Sequence, residues 1–305
     1  MWLLQKGDKR VDCLVHNVEE FFFDLLRLSA RPSPTGVDVK FILWLACLLG
    51  SFCTPTWADD ALQDAIASPK RTAAFAARDA WRHPYETLTF FGIRPDSTVV
   101  EISPGGGWYT EILAPYLRGQ GQLILAADDP ESAQPDSLKS LNRLKAKLAA
   151  QPDVYDKVVF GVFAPPDKLQ YAAPGNVDLV LTFRNVHNWL DYGDAGVRAV
   201  FQSAYLALKP GGVLGVVEHR LPEQRVQDAT ASSGYVHPSY VVHMAQSVGF
   251  TLAASAEFNG NPKDTADHIG GVWALPPSFV NKEVDREKFQ AIGESDRMTL
   301  KFVKR

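Results

Sequence analysis

Short runs of apolar residues alternate with segments in which apolar positions recur every three or four residues, from residue 98 to the end of the chain. Such runs are typical of strands buried on both faces, and the longer spacing is typical of helices that bury one face. The pattern predicts strands over 98–102, 122–126, 157–163, 178–183, 213–217, 251–257 and 298–304. It predicts helices over 59–80, 85–91, 108–117, 137–148, 194–208 and 238–248, with Ser68 and Pro69 as an N-cap and first helical residue inside the first of these.

The order of these elements indicates the fold class. Strands that alternate with amphipathic helices form a parallel sheet covered on both faces, whereas the last two strands lack a crossover helix between them and favour an antiparallel edge. We therefore expect one α/β domain: a Rossmann-like, doubly wound, mostly parallel seven-stranded sheet with an antiparallel edge strand. Residues 259–297 are rich in Pro, Gly and Asp and form the least regular part of the domain, which we interpret as an insertion.

The amino-terminal region has a different pattern. Residues 41–53 contain no charge over thirteen positions, follow Lys40 and precede Thr56-Trp57-Ala58. A bilayer span needs about 20 apolar residues, so the run is typical of a secretory signal. We predict a signal peptide over 39–58, cleavage after Ala58, and a periplasmic or secreted protein that meets the membrane only transiently. The alternatives are an inner-membrane anchor formed by an uncleaved signal, and a buried core helix.

Residues 1–38 do not resemble the start of a signal peptide. Residues 1–40 contain six basic and six acidic side chains, so they lack the net positive charge of a signal sequence. Our hypothesis is that 1–38 are a non-native or disordered extension. Apolar residues at helical spacing between Val11 and Leu26 leave an amphipathic helix as the alternative. The domain itself is assigned to 59–305.

Composition excludes several functional classes. The chain is 46% apolar and 22% charged, which is typical of a globular domain. A net charge of -4 provides no basic footprint for nucleic acid. All three cysteines lie within the first 53 residues, which excludes a thiol nucleophile or thiolate zinc site in the domain. His237, Tyr240 and His243 have no carboxylate partner at suitable spacing, and we predict no metal site.

A glycine cluster follows the first predicted strand at Gly105, Gly106 and Gly107. Ligands of open α/β sheets bind at the carboxyl ends of the strands, and glycines there allow the backbone to approach a ligand closely. Asp128 follows Gly107 by 21 residues and ends the next strand, where a carboxylate can accept hydrogen bonds from ribose hydroxyls. The pair predicts a nucleoside site.

Two residues argue against a nicotinamide dinucleotide. Thr110 occupies the position where that fingerprint has its last glycine. Glu101 ends the strand beside the loop, where an acid would repel a pyrophosphate but could hold the ammonium group of a bound amino acid. The combination favours S-adenosylmethionine over a nicotinamide cofactor.

The run from Val99 to Tyr109 resembles motif I of the class I S-adenosylmethionine-dependent methyltransferases, and residues 208–214 (LKPGGVL) resemble the turn into their fifth strand. More narrowly, Trp108-Tyr109, residues 185–189 (NVHNW) and residues 261–265 (NPKDT) are similar to a group of exported bacterial methyltransferase-like proteins. The resemblance implies S-adenosyl-L-methionine as cofactor. It is implied to lie against Glu101, Ser103, Pro104, Gly105, Gly106, Gly107, Tyr109, Asp128 and Asp129. Ser103 departs from the glycine usual at its position.

Methyl transfer requires alignment and, for a protonated acceptor, a base. His187 and Asn185 follow the fourth strand and His219 follows the fifth, so topology brings them together. We assign His187 or His219 as general base and Asn185 as a group that positions the acceptor; structural capping roles are the alternative, and Glu218 could pair with Arg220 or Arg184. The sequence predicts a methyltransferase acting on a small-molecule acceptor. The competing hypothesis is a non-catalytic periplasmic binding or interaction protein on the same scaffold.

Overall fold

The computed structural model describes residues 57–305. The helices are α1 Trp57–Ala67, α2 Ala73–Ala76, α3 Asp79–Arg82, α4 Pro84–Phe91, α5 Thr110–Leu117, α6 Pro135–Ala149, α7 Pro152–Tyr155, α8 Val186–Trp189, α9 Gly193–Ala207, α10 Pro238–Ser247 and α11 Arg286–Ile292. The strands are β1 Thr98–Ile102, β2 Gln122–Ala127, β3 Val159–Val162, β4 Val177–Phe183, β5 Leu208–His219, β6 Phe250–Ala256 and β7 Arg297–Lys304. Short 3₁₀ turns cover Leu190–Tyr192 and Gly271–Ala274. The predicted extension 1–38 and most of the predicted signal peptide 39–58 lie outside the described residues.

All seven strands belong to one sheet with the order β3-β2-β1-β4-β5-β7-β6. The pairs among β1 to β5 are parallel. Strand β7 lies between β5 and β6 and is antiparallel to both. The predicted α/β class, the Rossmann-like doubly wound order and the antiparallel edge are confirmed.

Apolar layers cover both faces of the sheet, as the uninterrupted apolar strands require. In β1, Val99 packs with helices α1, α4 and α5, whereas Val100 and Ile102 pack in the layer that contains α9 and α10. All three side chains are at most 1% exposed. Because successive strand residues point to opposite faces, an apolar residue at each of these positions fills both layers.

The prediction of one long helix over 59–80 is wrong. Helix α1 ends at Ala67, and α2 and α3 follow as separate short helices. Ser68 and Pro69 lie beyond the end of α1 rather than at the start of a helix. The guanidinium of Arg71 donates to the carbonyl of Ile66 at 2.7 Å, which satisfies a carbonyl that the helix end leaves free. The local alanine content indicated one continuous helix, but the contact between Arg71 and Ile66 closes the end of α1.

The insertion predicted over 259–297 contains a 3₁₀ turn and helix α11. Its residues Trp273, Pro276 and Pro277 line a cavity together with His187 and His219. The segment therefore overhangs the edge of the sheet at which β4 and β5 have their carboxyl ends. Among residues 57–305, no helix is both long and apolar enough to cross a bilayer.

Candidate functional site

Three adjoining cavities lie at the carboxyl ends of β1, β2, β4 and β5. The loop cavity, of about 310 Å³, is lined by Glu101 and the glycine loop. The Asp128 cavity, also about 310 Å³, is lined by Asp128 and the residues that follow β3. The histidine cavity, about 370 Å³, is lined by His187, His219 and the insertion.

Shared walls join these cavities into one cleft. Ser103 and Asn185 line both the loop cavity and the Asp128 cavity. Three arginines, Arg78, Arg82 and Arg184, line both the loop cavity and the histidine cavity. The strand register explains the convergence, because parallel strands β1, β2, β4 and β5 end at the same edge.

The glycine loop adopts the conformation that its sequence suggests. Gly105 and Gly107 have φ values of 56° and 80°, in the left-handed region. A side chain at Gly105 would meet nothing within 4 Å, so the absence of a Cβ leaves the loop cavity wider. Lys147 donates to the carbonyl of Gly106 at 2.8 Å and holds the loop in place.

Ser103 also lies in the left-handed region, with φ 49°. The residue usual in the resembled family, glycine, adopts this conformation without steric cost. Ser103 therefore holds a conformation that is strained for a residue with a side chain. Pro104 lines the loop cavity, and its carbonyl accepts a hydrogen bond from the amide of Gly107 at 2.9 Å.

Glu101 is 2% exposed and accepts a hydrogen bond from the hydroxyl of Thr110 at 2.7 Å. Burial raises the pKa of Glu101 to about 8, against lowering contributions from the Thr110 hydrogen bond, Arg184 and Lys147. A nearby cationic ligand would stabilise the ionised form of this carboxyl group, which burial disfavours. Thr110, where a dinucleotide fold has glycine, is thus the partner of Glu101.

Asp128 and Asp129 differ in how their carboxylates are used. Partial burial raises the pKa of Asp128 despite a hydrogen bond from Ser137. A carboxylate has about four acceptor positions, so Asp128 retains capacity for ligand hydroxyls. Asp129 is bonded to Lys168 at 2.5 Å and to the amide of Glu131 at 3.0 Å, and its pKa is lowered mainly by Lys168. Asp129 lines the same cavity but is already paired.

Tyr109 lies on the wall of the loop cavity and is 3% exposed. Its ring stacks on Phe183, at the end of β4, with the centroids 3.5 Å apart. Its hydroxyl donates to the carbonyl of Arg82 at 3.4 Å. The side chain therefore joins the glycine loop to β4 and to the arginine wall.

Glu218 organises the end of β5. It is fully buried, and its carboxylate accepts hydrogen bonds from the backbone amides of Val186 at 2.5 Å and His219 at 2.7 Å. It also accepts from the amide of His187 at 3.3 Å and lies 3.1 Å from Nδ1 of that residue. A carboxylate beside Nδ1 fixes the proton there and leaves Nε2 as the acceptor. Glu218 pairs with neither Arg220 nor Arg184.

His219 lies beside His187, with the ring centroids 5.5 Å apart. Its Nδ1 is 2.6 Å from the hydroxyl of Ser295. Burial, followed by the charges of His187, Arg184 and neighbouring arginines, lowers the pKa of His219 well below 6.5. His219 is therefore neutral at pH 7, and the structure brings the two predicted histidines together.

Asn185 lies elsewhere in the cleft. Its amide nitrogen donates to the carbonyl of Ile102 at 3.0 Å and to the hydroxyl of Thr182 at 3.1 Å, which ties β1 to β4. It lines the loop and Asp128 cavities rather than the histidine cavity. The role in positioning an acceptor stays a prediction.

The ligand atoms of His187, Glu218 and His219 lie within 4.8 Å of one another, a spacing that could hold a metal ion. Each oxygen of Glu218 already has two hydrogen-bond contacts: Oε2 with the amides of Val186 and His187, and Oε1 with the amide of His219 and Nδ1 of His187. Metal coordination would have to displace those bonds, which favours an orienting role for the carboxylate.

An arginine cluster is the part of the site that the sequence analysis missed. Arg78 and Arg82 stand at the two ends of the short helix α3, and Arg184 follows β4. The three converge on the histidine cavity with Glu294 from the insertion. Arg82 and Glu294 are 212 positions apart in the chain. No local motif connects them, and only the folded insertion brings them into contact.

No protein-family model matches the sequence, and no curated protein is significantly similar to it. Among solved structures, a putative sarcosine dimethylglycine methyltransferase from Galdieria sulphuraria is 12% identical over 75% of this chain and 85% of its own, with a TM-score of 0.48. A SAM-dependent methyltransferase from Aquifex aeolicus is 13% identical over 65% of this chain and 92% of its own, with a TM-score of 0.46. An arsenic(III) S-adenosylmethionine methyltransferase from Chlamydomonas reinhardtii is 14% identical over 80% of this chain and 72% of its own, with a TM-score of 0.46. Similarities at this level do not assign a substrate or an activity.

Proposed function

We propose that this chain is an S-adenosylmethionine-dependent methyltransferase that acts on a small-molecule acceptor. The observation that carries the proposal is the continuous cleft at the carboxyl edge of the sheet. It places a buried acid, an open glycine loop and a ribose-side carboxylate next to a carboxylate-oriented histidine.

The side chains of the cleft fit the cofactor chemically. Glu101 has a raised pKa and would be stabilised as a carboxylate by an ammonium group. Asp128 has free acceptor capacity for ribose hydroxyls. The open face of Gly105 allows a ligand to lie against the backbone. Thr110 and Glu101 together disfavour a pyrophosphate at the same place.

When bound, S-adenosylmethionine supplies an electrophilic methyl group on a positively charged sulfur, which leaves as a neutral thioether. Nε2 of His187 would act as the general base. It accepts the proton that a hydroxyl or amine acceptor loses as the lone pair of the acceptor atom forms the new bond to carbon. Glu218 holds the imidazole in the required tautomer and stabilises the imidazolium that results. His219 is neutral at pH 7 and therefore adds no further positive charge beside that imidazolium.

Calorimetry with S-adenosylmethionine, S-adenosylhomocysteine and NAD tests the proposal. We expect both sulfur nucleosides to bind and NAD not to bind. Replacing Asp128 with Ala leaves ribose hydroxyls without a partner, which should weaken binding by about 1–3 kcal/mol. Asp136→Ala removes an exposed carboxylate from the neighbouring helix α6 and should leave the affinity unchanged. Failure of both sulfur nucleosides to bind at millimolar concentration rejects the enzyme and supports a non-catalytic binding protein.

We further propose that the protein is exported and belongs to the bacterial group that its motifs resemble. The support is the uncharged run over 41–53 and the segments NVHNW and NPKDT. The predicted cleavage after Ala58 falls in the first turn of α1. N-terminal sequencing of the natural protein tests this: a mature chain that begins at Asp59 supports cleavage and export, and one that retains Val11 to Leu28 rejects both the cleavage after Ala58 and a non-native extension over 1–38.

A further inference from the structure

The histidine cavity contains more positive charge than the described residues neutralise. Three guanidinium groups, those of Arg78, Arg82 and Arg297, contact the carboxylate of Glu294, and the guanidinium of Arg184 interacts with it electrostatically. Glu294 lies 2.5 Å from Nε of Arg78, 3.2 Å from Nε of Arg82 and 2.9 Å from Nη1 of Arg297. Burial would raise the pKa of Glu294, but these arginines lower it to about 2. The carboxylate is fully ionised and still offsets only one of the charges.

Two of the arginines have donors to spare. The side chain of Arg184 makes no hydrogen bond or ion pair with any residue of 57–305, although it lines both cavities. Arg82 is 3% exposed and uses only Nε on Glu294, so its two terminal nitrogens have no hydrogen-bond partner within the same residues. Its guanidinium lies over the ring of Trp108, 4.7 Å from the centroid, which fixes its orientation. A buried and fixed guanidinium whose two terminal nitrogens are free is suited to bidentate binding of an oxyanion.

The electrostatics agree with this geometry. Burial and then the charge of Arg184 lower the pKa of Arg82 far below its ordinary value, and burial and then Arg297 lower the pKa of Arg184. Guanidinium groups stay protonated in proteins, so the lowered pKa values mean that the buried positive charges of Arg82 and Arg184 reduce the stability of the folded protein. A bound anion would remove that cost.

The other side of the cavity is uncharged. Trp273, Val272, Pro276 and Pro277 supply an apolar wall, and His219 is neutral at pH 7. Glu218 lies behind His187 and does not line the cavity. The space therefore suits a small molecule with an apolar body and one anionic group.

We infer that the histidine cavity binds a small organic acid as methyl acceptor, with its carboxylate or phosphate held by Arg82 and Arg184 and its apolar body against Trp273. That the bound acid is the methyl acceptor rests on the proposed function, whereas the anion site itself does not depend on it. A compound of this class would place its reactive atom beside Nε2 of His187.

Benzoate and its neutral isostere benzamide are matched probes, because they differ in charge and share the apolar ring. Titration of the full chain, followed by tryptophan fluorescence and by thermal stability, should show saturable binding of benzoate and at least about tenfold weaker binding of benzamide. Arg184→Asn removes the charge while tolerating the left-handed backbone at φ 61°. This variant should weaken benzoate binding about tenfold or more. Arg184→Lys keeps the charge but loses the planar guanidinium, so its affinity should lie between those of the parent protein and Arg184→Asn.

The remaining outcomes separate the two proposals. Equal binding of benzoate and benzamide, or unchanged binding in Arg184→Asn, overturns the anion site. Loss of S-adenosylhomocysteine affinity in Arg184→Asn, together with displacement of benzoate by that nucleoside, also overturns it, because the arginines would then serve the cofactor. Benzoate binding that depends on Arg184, in a protein that binds neither sulfur nucleoside, supports the anion site and rejects the methyltransferase. Binding of both ligands at once supports both.

Discussion

Replacing Glu101 with Gln tests the central feature of the loop cavity. The amide keeps the shape of the side chain and can still accept the hydrogen bond from Thr110 through its oxygen. It removes the carboxylate whose pKa burial raises to about 8. We therefore expect the variant to be more stable than the parent protein at neutral and alkaline pH, and this advantage to disappear in acid.

The size of the effect comes from the shift in pKa. Glu101 has an ordinary pKa of 4.5 and a folded-state pKa of about 8, so its contribution to stability is complete below pH 4.5 and is lost as pH rises through 8. Each unit corresponds to about 1.4 kcal/mol, which sets a ceiling of about 5 kcal/mol. Between pH 5.5 and 7.5 the free energy of unfolding of the parent should fall by about 2–3 kcal/mol relative to Glu101→Gln. In a domain of this size that equals roughly 5–10 °C in Tm.

The assay is denaturant or thermal unfolding of both proteins at several pH values between 5 and 8. Taking the difference between the two proteins removes the contribution of other titrating groups. Glu283→Gln, which changes a carboxylate that is 87% exposed, should show no pH-dependent difference. A difference between parent and Glu101→Gln that stays constant across this range would refute the argument, because Glu101 would then titrate near its ordinary value.

Two further substitutions test the frame of the site. Glu218→Gln places an amide NH₂ against backbone N–H donors and should lower the free energy of unfolding by about 2–4 kcal/mol; unchanged urea unfolding would exclude the carboxylate as the support of His187. Gly293→Ala would bring a Cβ to 2.2 Å from the ring of Trp81 at φ 87°, and should cost about 3 kcal/mol or more. Gly119→Ala, with open space around it, should change unfolding by no more than about 0.5 kcal/mol, and equal losses in both glycine variants would contradict the packing argument.

The sheet was predictable because its signal is local. The strand predicted over 98–102 coincides with β1, and the helix over 194–208 differs from α9 by one residue at each end. These segments are buried on a strand face or a helix face over their whole length, so their periodicity survives in the sequence. The region 59–80 carries helical propensity as well, but Arg71 bonds to Ile66 and Asp79, and the amide of Thr72 donates to Glu111 of α5. Propensity is a weak guide where such contacts decide the backbone.

The candidate site divides along the same line. Glu101, Asp128 and the histidines were predictable because each lies at the end of a strand or within four residues after it, and parallel strands bring their ends together. The arginine cluster was not, because Arg78 and Glu294 are 216 positions apart and meet only when the insertion folds over the edge. Glu218 was named from the sequence, but with the wrong partners, since its position at a strand end does not reveal which amides point toward it.

The two ends of the cleft bury charges of opposite sign, and each buried charge reduces the stability of the folded protein. At the loop cavity a buried carboxylate has a raised pKa, and at the histidine cavity buried guanidinium groups have lowered ones. Within residues 57–305, Glu101 and Arg184 influence each other electrostatically but form no ion pair, although both line the loop cavity. Buried charges that do not pair with each other reduce stability, and strongly shifted groups in a cleft are typical of sites where a ligand supplies the missing partner. The arrangement therefore favours a cation beside Glu101 and an anion beside Arg184, which are the charges that a sulfonium cofactor with an ammonium group and an acidic acceptor would bring.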